Sequence, residues 1–114
     1  MLNKKNRIGN HDVIDRLFRK GTLFKNHFFI FKYERVSGVP SQFAVTVSKK
    51  IHKKAVKRNR LRRQVQEALR LSLPLLNIPV KALIIARPDS EKISYEDIIH
   101  SIATFFNFLA SNAK

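Results

Sequence analysis

Residues 42–87 read QFAVTVSKKIHKKAVKRNRLRRQVQEALRLSLPLLNIPVKALIIAR, and the changes of period within that stretch decide the fold. Over residues 42–48, Phe43, Val45 and Val47 alternate with Ala44, Thr46 and Ser48, the two-residue period of a strand with one apolar face. From near Lys54 to about Leu71 the period becomes helical. With Leu61 set at zero on a helical wheel, Val65, Ala68, Leu69 and Ser72 fall between about −20° and +80°. Asn59, Arg62, Arg63, Gln66 and Arg70 fall between about 100° and 200°. Pro74 and Pro79 then break the helix, and Val80–Ala86 is apolar at almost every position, as expected of a central strand buried on both faces.

Outward from this segment, the N-terminal side supplies a helix and a strand. Asn10 caps a helix whose apolar positions are Val13, Ile14, Leu17 and Phe18, and Gly21 stops it. Asp12 in its first turn and Arg19 and Lys20 in its last suit the helix dipole. Over residues 27–35, Phe29, Phe31 and Tyr33 share one face and Phe28 and Ile30 the other. Gly38, Pro40 and Ser41 form a short connection to residues 42–48, so an antiparallel hairpin is expected. Residues 22–24 can add a brief extra strand. On the C-terminal side, Ser94 and Asp97 form an S-x-x-D start for a last helix with Ile98, Ile102, Phe105, Phe106 and Leu109 on one stripe. The order helix–strand–strand–helix–strand–helix predicts an α+β fold, a two-layer sandwich of helices on a small sheet. A single domain over residues 1–114 is expected, with residues 1–9, basic and polar, as a flexible arm.

Charge sets the class of partner. The chain has 114 residues, with 23 Lys and Arg against 8 Asp and Glu, a formal net charge of +15. Self-repulsion at that density opposes compactness, which points to a polyanionic partner, nucleic acid ahead of an anionic membrane. The charge is concentrated: residues 49–70 carry ten cations and one acid, Glu67, whereas residues 71–114 carry four of each. A solvated helix face would set acids four residues from its arginines, and only Glu67 answers, to Arg63. Arginine predominates in the helical part, and a planar guanidinium can bind two phosphate oxygens in fixed geometry.

Several classes drop out. With no cysteine there is no disulfide, thiolate nucleophile or Cys-ligated metal. No apolar run reaches the ~20 residues of a membrane-spanning helix, and no secretory signal is visible, so a cytoplasmic location and no membrane partner are expected. His11, His27, His52 and His100 are scattered, and the few carboxylates form no cluster for a two-metal site. No catalytic residue and no protein-held metal are therefore expected. No dimerising segment stands out, and no protein partner is expected.

Val47-Ser48-Lys49-Lys50, followed by Lys54-Ala55-Val56-Lys57-Arg58-Asn59-Arg60-Leu61-Arg62-Arg63, resembles the bacterial ribonuclease P protein subunit, whose pattern is V-S-K-K and then A-V-x-R-N-R-x-K/R-R. Phe18-Arg19-Lys20-Gly21, Ile84-Ile85-Ala86-Arg87 and Tyr95-Glu96 are similar to that family's later and earlier segments, in the expected order. Two positions depart from it: Gln66, where many members are basic, and Ile14, where many are aromatic. The resemblance implies a subunit that binds a catalytic RNA and helps it remove the 5′ leader from precursor tRNA. It implies a ribosomal-protein-type fold with a left-handed βαβ crossover. Carried over by position, Lys54, Arg58, Asn59, Arg60, Arg62 and Arg63 would meet the RNA subunit, and Phe18, Lys32, Ser48, Lys49 and Lys50 would line a cleft for the leader. Mg²⁺ would be bound mainly by RNA, with the chemistry carried there. The alternatives are a structural ribosomal RNA-binding protein, a DNA binder using the basic helix, which would ordinarily act as a symmetric dimer, and a self-sufficient small ribonuclease, which would need an acid–base pair.

Overall fold

The computed structural model describes residues 2–76 and 78–111. Helix α1 spans His11–Lys20, followed by strands β1 (Thr22–Lys25), β2 (Phe29–Arg35) and β3 (Gln42–Thr46). Helix α2 spans Ala55–Ser72, strand β4 Val80–Ala86 and helix α3 Tyr95–Ser111. The local signals act as expected at the helix ends. Asn10 Oδ1 accepts from the Asp12 amide at 2.8 Å, Ser94 Oγ accepts from the Asp97 amide at 3.1 Å, and the Gly21 amide closes α1 on the Leu17 carbonyl at 2.9 Å.

The four strands form one mixed sheet in the order β1-β2-β4-β3. The expected hairpin between β2 and β3 does not form. Instead β4 lies between them, antiparallel to β2 with Phe31 opposite Ile84, and parallel to β3 with Val45 opposite Ile84. The reason is burial: β4 is apolar on both faces and gains most at the centre, while the 36–41 connection passes across its start. There the Val36 amide donates to the Pro79 carbonyl and the Val80 amide to Ser41 Oγ, both at 3.1 Å.

One sheet face carries the main core. Phe29, Phe31 and Tyr33 of β2, Phe43 of β3 and Val80, Ala82, Ile84 and Ala86 of β4 pack against Leu61, Val65, Ala68 and Leu69 of α2 and Ile98, Ile102, Phe105, Phe106 and Leu109 of α3. Phe31 and Phe105 stack at 4.3 Å between ring centroids, with Tyr33 edge-on to Phe105 at 5.4 Å. Helix α1 lies on the other face, where Leu17 and Leu83 are buried outside that cluster.

Residues 2–8 are not the loose arm that their composition suggests. Leu2 and Asn6 are buried, the Asn6 side-chain amide donates to the Ser41 carbonyl at 2.8 Å, and the Ile8 amide to the Phe43 carbonyl at 3.0 Å. Arg7 pairs with Phe43 in a parallel bridge, so this segment covers the outer edge of β3. Exposed edge amides and carbonyls need such cover, and the buried Leu2 is the apolar anchor that holds it among the lysines.

Phe105 is wholly buried and touches the strand aromatics Phe24, Phe31 and Tyr33. Phe105→Ala should destabilise the domain by about 3–5 kcal/mol, read as a lower urea midpoint with unchanged slope.

Candidate nucleic-acid interface

The loop that carries Ser48, Lys49 and Lys50 is shaped by its two apolar ends. Val47 and Ile51 are both buried, so the three residues between them are turned outward and exposed. The Ser48 carbonyl accepts from the amides of Ile51 at 3.1 Å and His52 at 3.4 Å, closing a turn. Strand β3 thus ends at Thr46, two residues before the strand expected from the alternation, and both lysines sit on a turn and not on opposite faces of a strand.

Phe18 and Lys32 do come together. Phe18 is 58% exposed on the outer side of α1, a stripe position that the core does not use. Lys32 Nζ lies 5.6 Å from the centre of its ring and donates to the Phe18 carbonyl at 3.0 Å. Lys32 projects from the α1 side of the sheet, in register with Leu23, Leu83 and Ala44. The next row on that face is Lys25, Ile30, Ile85 and Thr46, with both isoleucines half-buried and the outer two residues exposed. Strand spacings put the Phe18–Lys32 pair and the Ser48–Lys50 turn on the order of 15 Å apart, with this partly apolar floor between them. Ile30, Ile85 and Thr46 were visible in the sequence only as alternate strand positions; register brings them into one row.

The helix α2 keeps the wheel drawn from its sequence. Leu61, Val65, Ala68, Leu69 and Ser72 are all buried, whereas Asn59, Arg60, Arg63 and Arg70 are exposed and Arg62 half-buried. Lys54 occupies the N-cap without a side-chain capping bond, and the first turn contains no acid. Lys53, Lys54, Lys57 and Arg58 thus crowd the positive end of the helix dipole, which disfavours cations. An anion at this end would relieve both the dipole and the mutual repulsion.

The six residues assigned to this helix face do different work. Arg58 is half-buried, and its Nη1 donates to the carbonyls of His52 at 2.9 Å and Lys53 at 2.8 Å. It fastens the 48–53 loop to the helix, so much of its hydrogen-bonding capacity is used within the chain. Asn59 Oδ1 accepts from Arg62 Nη2, which orients that guanidinium along the exposed flank. Arg60 and Arg63 turn toward the 90–95 segment and Tyr95. Glu67 meets Arg70, not Arg63: Arg70 Nε donates to it at 3.0 Å. The Arg70 guanidinium holds the Glu67 carboxyl at about 2, below its ordinary 4.5, and Arg70 is raised in turn. Among the described residues no group of three or more His, Asp or Glu is placed to hold a metal ion.

Arg58→Ala should cost about 1.5–3 kcal/mol of folding stability, the range for hydrogen bonds to a charged group, whereas Arg60→Ala should leave the midpoint unchanged or slightly raised; paired urea titrations separate the two. Because the folded Glu67 carboxyl is depressed, its contribution is present above pH 4.5 and fades as the pH falls toward 2. A carboxyl-detected NMR titration should find its midpoint near 2, and Arg70→Ala should return it toward 4.5.

The family model described as Ribonuclease P matches residues 2–109. A ribonuclease P protein component from Clostridium acetobutylicum is 33% identical over 107 residues, covering 91% of this chain and 88% of that protein. One from Microcystis aeruginosa is 40% identical over 63 residues, covering 55% of this chain and 52% of that protein, about half its length. The RNase P protein from Thermotoga maritima superposes with a TM-score of 0.80 at 18% identity, over 90% of this chain and 96% of that one, which shows the same fold. The ribosomal alternative is not favoured by these matches. Since the family match leaves out only the first residue and the last five, this chain belongs to the ribonuclease P protein family, the RNA-binding subunit of an endoribonuclease that processes tRNA.

Proposed function

We propose that the chain divides its two RNA partners between two surfaces. The ribonuclease P RNA binds along α2, through Lys54, Asn59, Arg60, Arg62 and Arg63, with Arg58 holding the loop that leads into the helix. The 5′ leader of precursor tRNA lies on the α1 side of the sheet, between the Phe18–Lys32 pair and the Ser48–Lys50 turn. Phosphodiester cleavage is carried by the RNA subunit with Mg²⁺ bound mainly by RNA, and the complex works in the cytoplasm.

The observation that carries this reading is the ten cations of residues 49–70 set against a single acid that Arg70 already engages. Such a surface lowers the repulsion between two RNA strands brought together, which otherwise demands more free Mg²⁺. The leader surface fits a single strand because it is shallow and has a half-buried apolar floor with cations at both ends. Lys49 and Lys50 can reach phosphates there at little cost in side-chain packing, since neither contributes to the core.

The test is a reconstituted enzyme. Protein freed of RNA should release no leader, and adding it to the RNA subunit should restore cleavage at low Mg²⁺; processing by the RNA-free protein would overturn the division of labour. With the same enzyme, changing Lys49 and Lys50 together to alanine should weaken binding of precursor tRNA while hardly affecting mature tRNA. Each lost single-strand phosphate contact should also lower the salt slope by about 0.7. An equal loss for both tRNA forms would assign these lysines to the RNA subunit instead.

A further inference from the structure

Helix α2 presents two parallel rows of polar side chains. Asn59, Arg62 and Gln66, at i, i+3 and i+7, form the outer row. Lys57, Arg60 and Gln64 repeat that spacing on the opposite flank, next to the apolar stripe. The second row forms one wall of a cavity of about 360 Å³, whose other wall is the 90–93 segment, with Leu61 and Ile93 as apolar lining. Ser90 anchors that wall: it is 1% exposed, and its hydroxyl donates to the Arg87 carbonyl at 2.6 Å. Arg60 and Gln64 also line a second hollow of about 420 Å³, where they face Tyr95 and Arg63. The two hollows make one groove between α2 and the chain leading into α3.

The chemistry of this groove narrows its occupant. Lys57, Arg60, Arg63 and Lys92 bring four cations to it, against the exposed Glu91 and against Glu67, which Arg70 engages. Gln64 supplies an amide able to donate and accept at once. Leu61, Ile93 and the ring of Tyr95 supply apolar contact. An inorganic anion would use only the cations, and a duplex would offer only backbone. A nucleotide with its base unpaired has a charged phosphate, a flat apolar face and a hydrogen-bonding edge. The cavity volume is at the lower end of the ~300–1,000 Å³ of small-molecule pockets, the scale of one nucleotide.

We propose that this groove receives an unpaired nucleotide of the RNA that α2 binds. Gln64 meets the base edge, Tyr95 offers a face for the base, and Lys57, Arg60 and Lys92 hold the adjoining phosphates. The proposal rests on the reading of α2 as the helix that binds the ribonuclease P RNA, and it adds Lys57, Gln64, Lys92 and Tyr95 to that surface.

The chain has no cysteine, so one introduced thiol can be labelled uniquely. Full-length Gln64→Cys and Lys92→Cys, each carrying an azidophenacyl group, are bound to the ribonuclease P RNA and irradiated, with affinity measured in parallel by gel shift. Both positions should crosslink to the same one or two nucleotides. Those nucleotides should react with single-strand probes in free RNA and be protected by the unlabelled wild-type protein. Lys92→Ala should also lower the salt slope of RNA binding by about 0.7. Labelled protein that binds the RNA yet crosslinks from neither position, or crosslinks only to paired nucleotides, overturns the groove and leaves the α2 reading standing. Wild-type protein that fails to bind the RNA overturns the α2 reading, and the groove with it.

Discussion

The burial of β4 on both faces is the constraint on which the rest of this molecule depends. Ala82, Ile84 and Ala86 face the main core, and on the α1 side Leu83 is buried and Ile85 half-buried, so both sides of the strand need cover. A strand of that kind must have neighbours on both edges and helices on both faces. It separates β2 from β3, makes β3 parallel to β4, and obliges α2 to serve as the crossover between them. The basic helix is thereby fixed against the sheet by its apolar stripe, with the 48–53 loop at the open end of β3.

Holding cations together costs free energy, and the fold meets that cost with burial in place of ion pairing. Leu61, Val65, Ala68 and Leu69 are each no more than 4% exposed, and full burial of a Leu or Val is worth about 1.5–3 kcal/mol. Exposed like charges repel much more weakly in water. The helix can therefore keep Lys54, Lys57 and Arg58 at the wrong end of its dipole and still fold. Arg58 illustrates how such charge becomes structural, since its guanidinium substitutes for missing partners of two loop carbonyls. The same field that is tolerated in the free protein is available to an RNA.

The three polar surfaces differ in shape because different elements build them. The α1 side of the sheet is flat, set by strand register. The outer flank of α2 is convex, a single helix surface. The groove on the inner flank is concave, because the 88–92 turn stands beside the helix before α3 begins. A convex flank carrying Asn59, Arg62 and Gln66 suits a phosphate backbone, a flat face suits an extended strand, and a concavity suits a single inserted group.

Much of this was legible in the sequence, and the part that was not has one cause. Element types followed from period and caps: the stripe of α2, the Asn10 cap, the Ser94 start and the centrality of Val80–Ala86 depend on neighbours within a few residues. The partner class followed from charge and its crowding into residues 49–70. The resemblance in V-S-K-K and R-N-R carried the family. What local period does not contain is pairing between distant strands, so a short loop suggested a hairpin that β4 interrupts. Nor does composition show that Asn6, Arg7 and Ile8 anchor a basic segment to the β3 edge, since each partner lies some 35 residues or more away. Likewise the wheel placed Arg58 among its fellow arginines, but the carbonyls of His52 and Lys53 that it grips are brought there by the turn of the chain. The sequence by itself determined most of the strands, helices and core and all of the cations, because these depend on local period and composition. The tertiary structure alone decided which of those cations face a partner, because that depends on what the folded chain sets beside them.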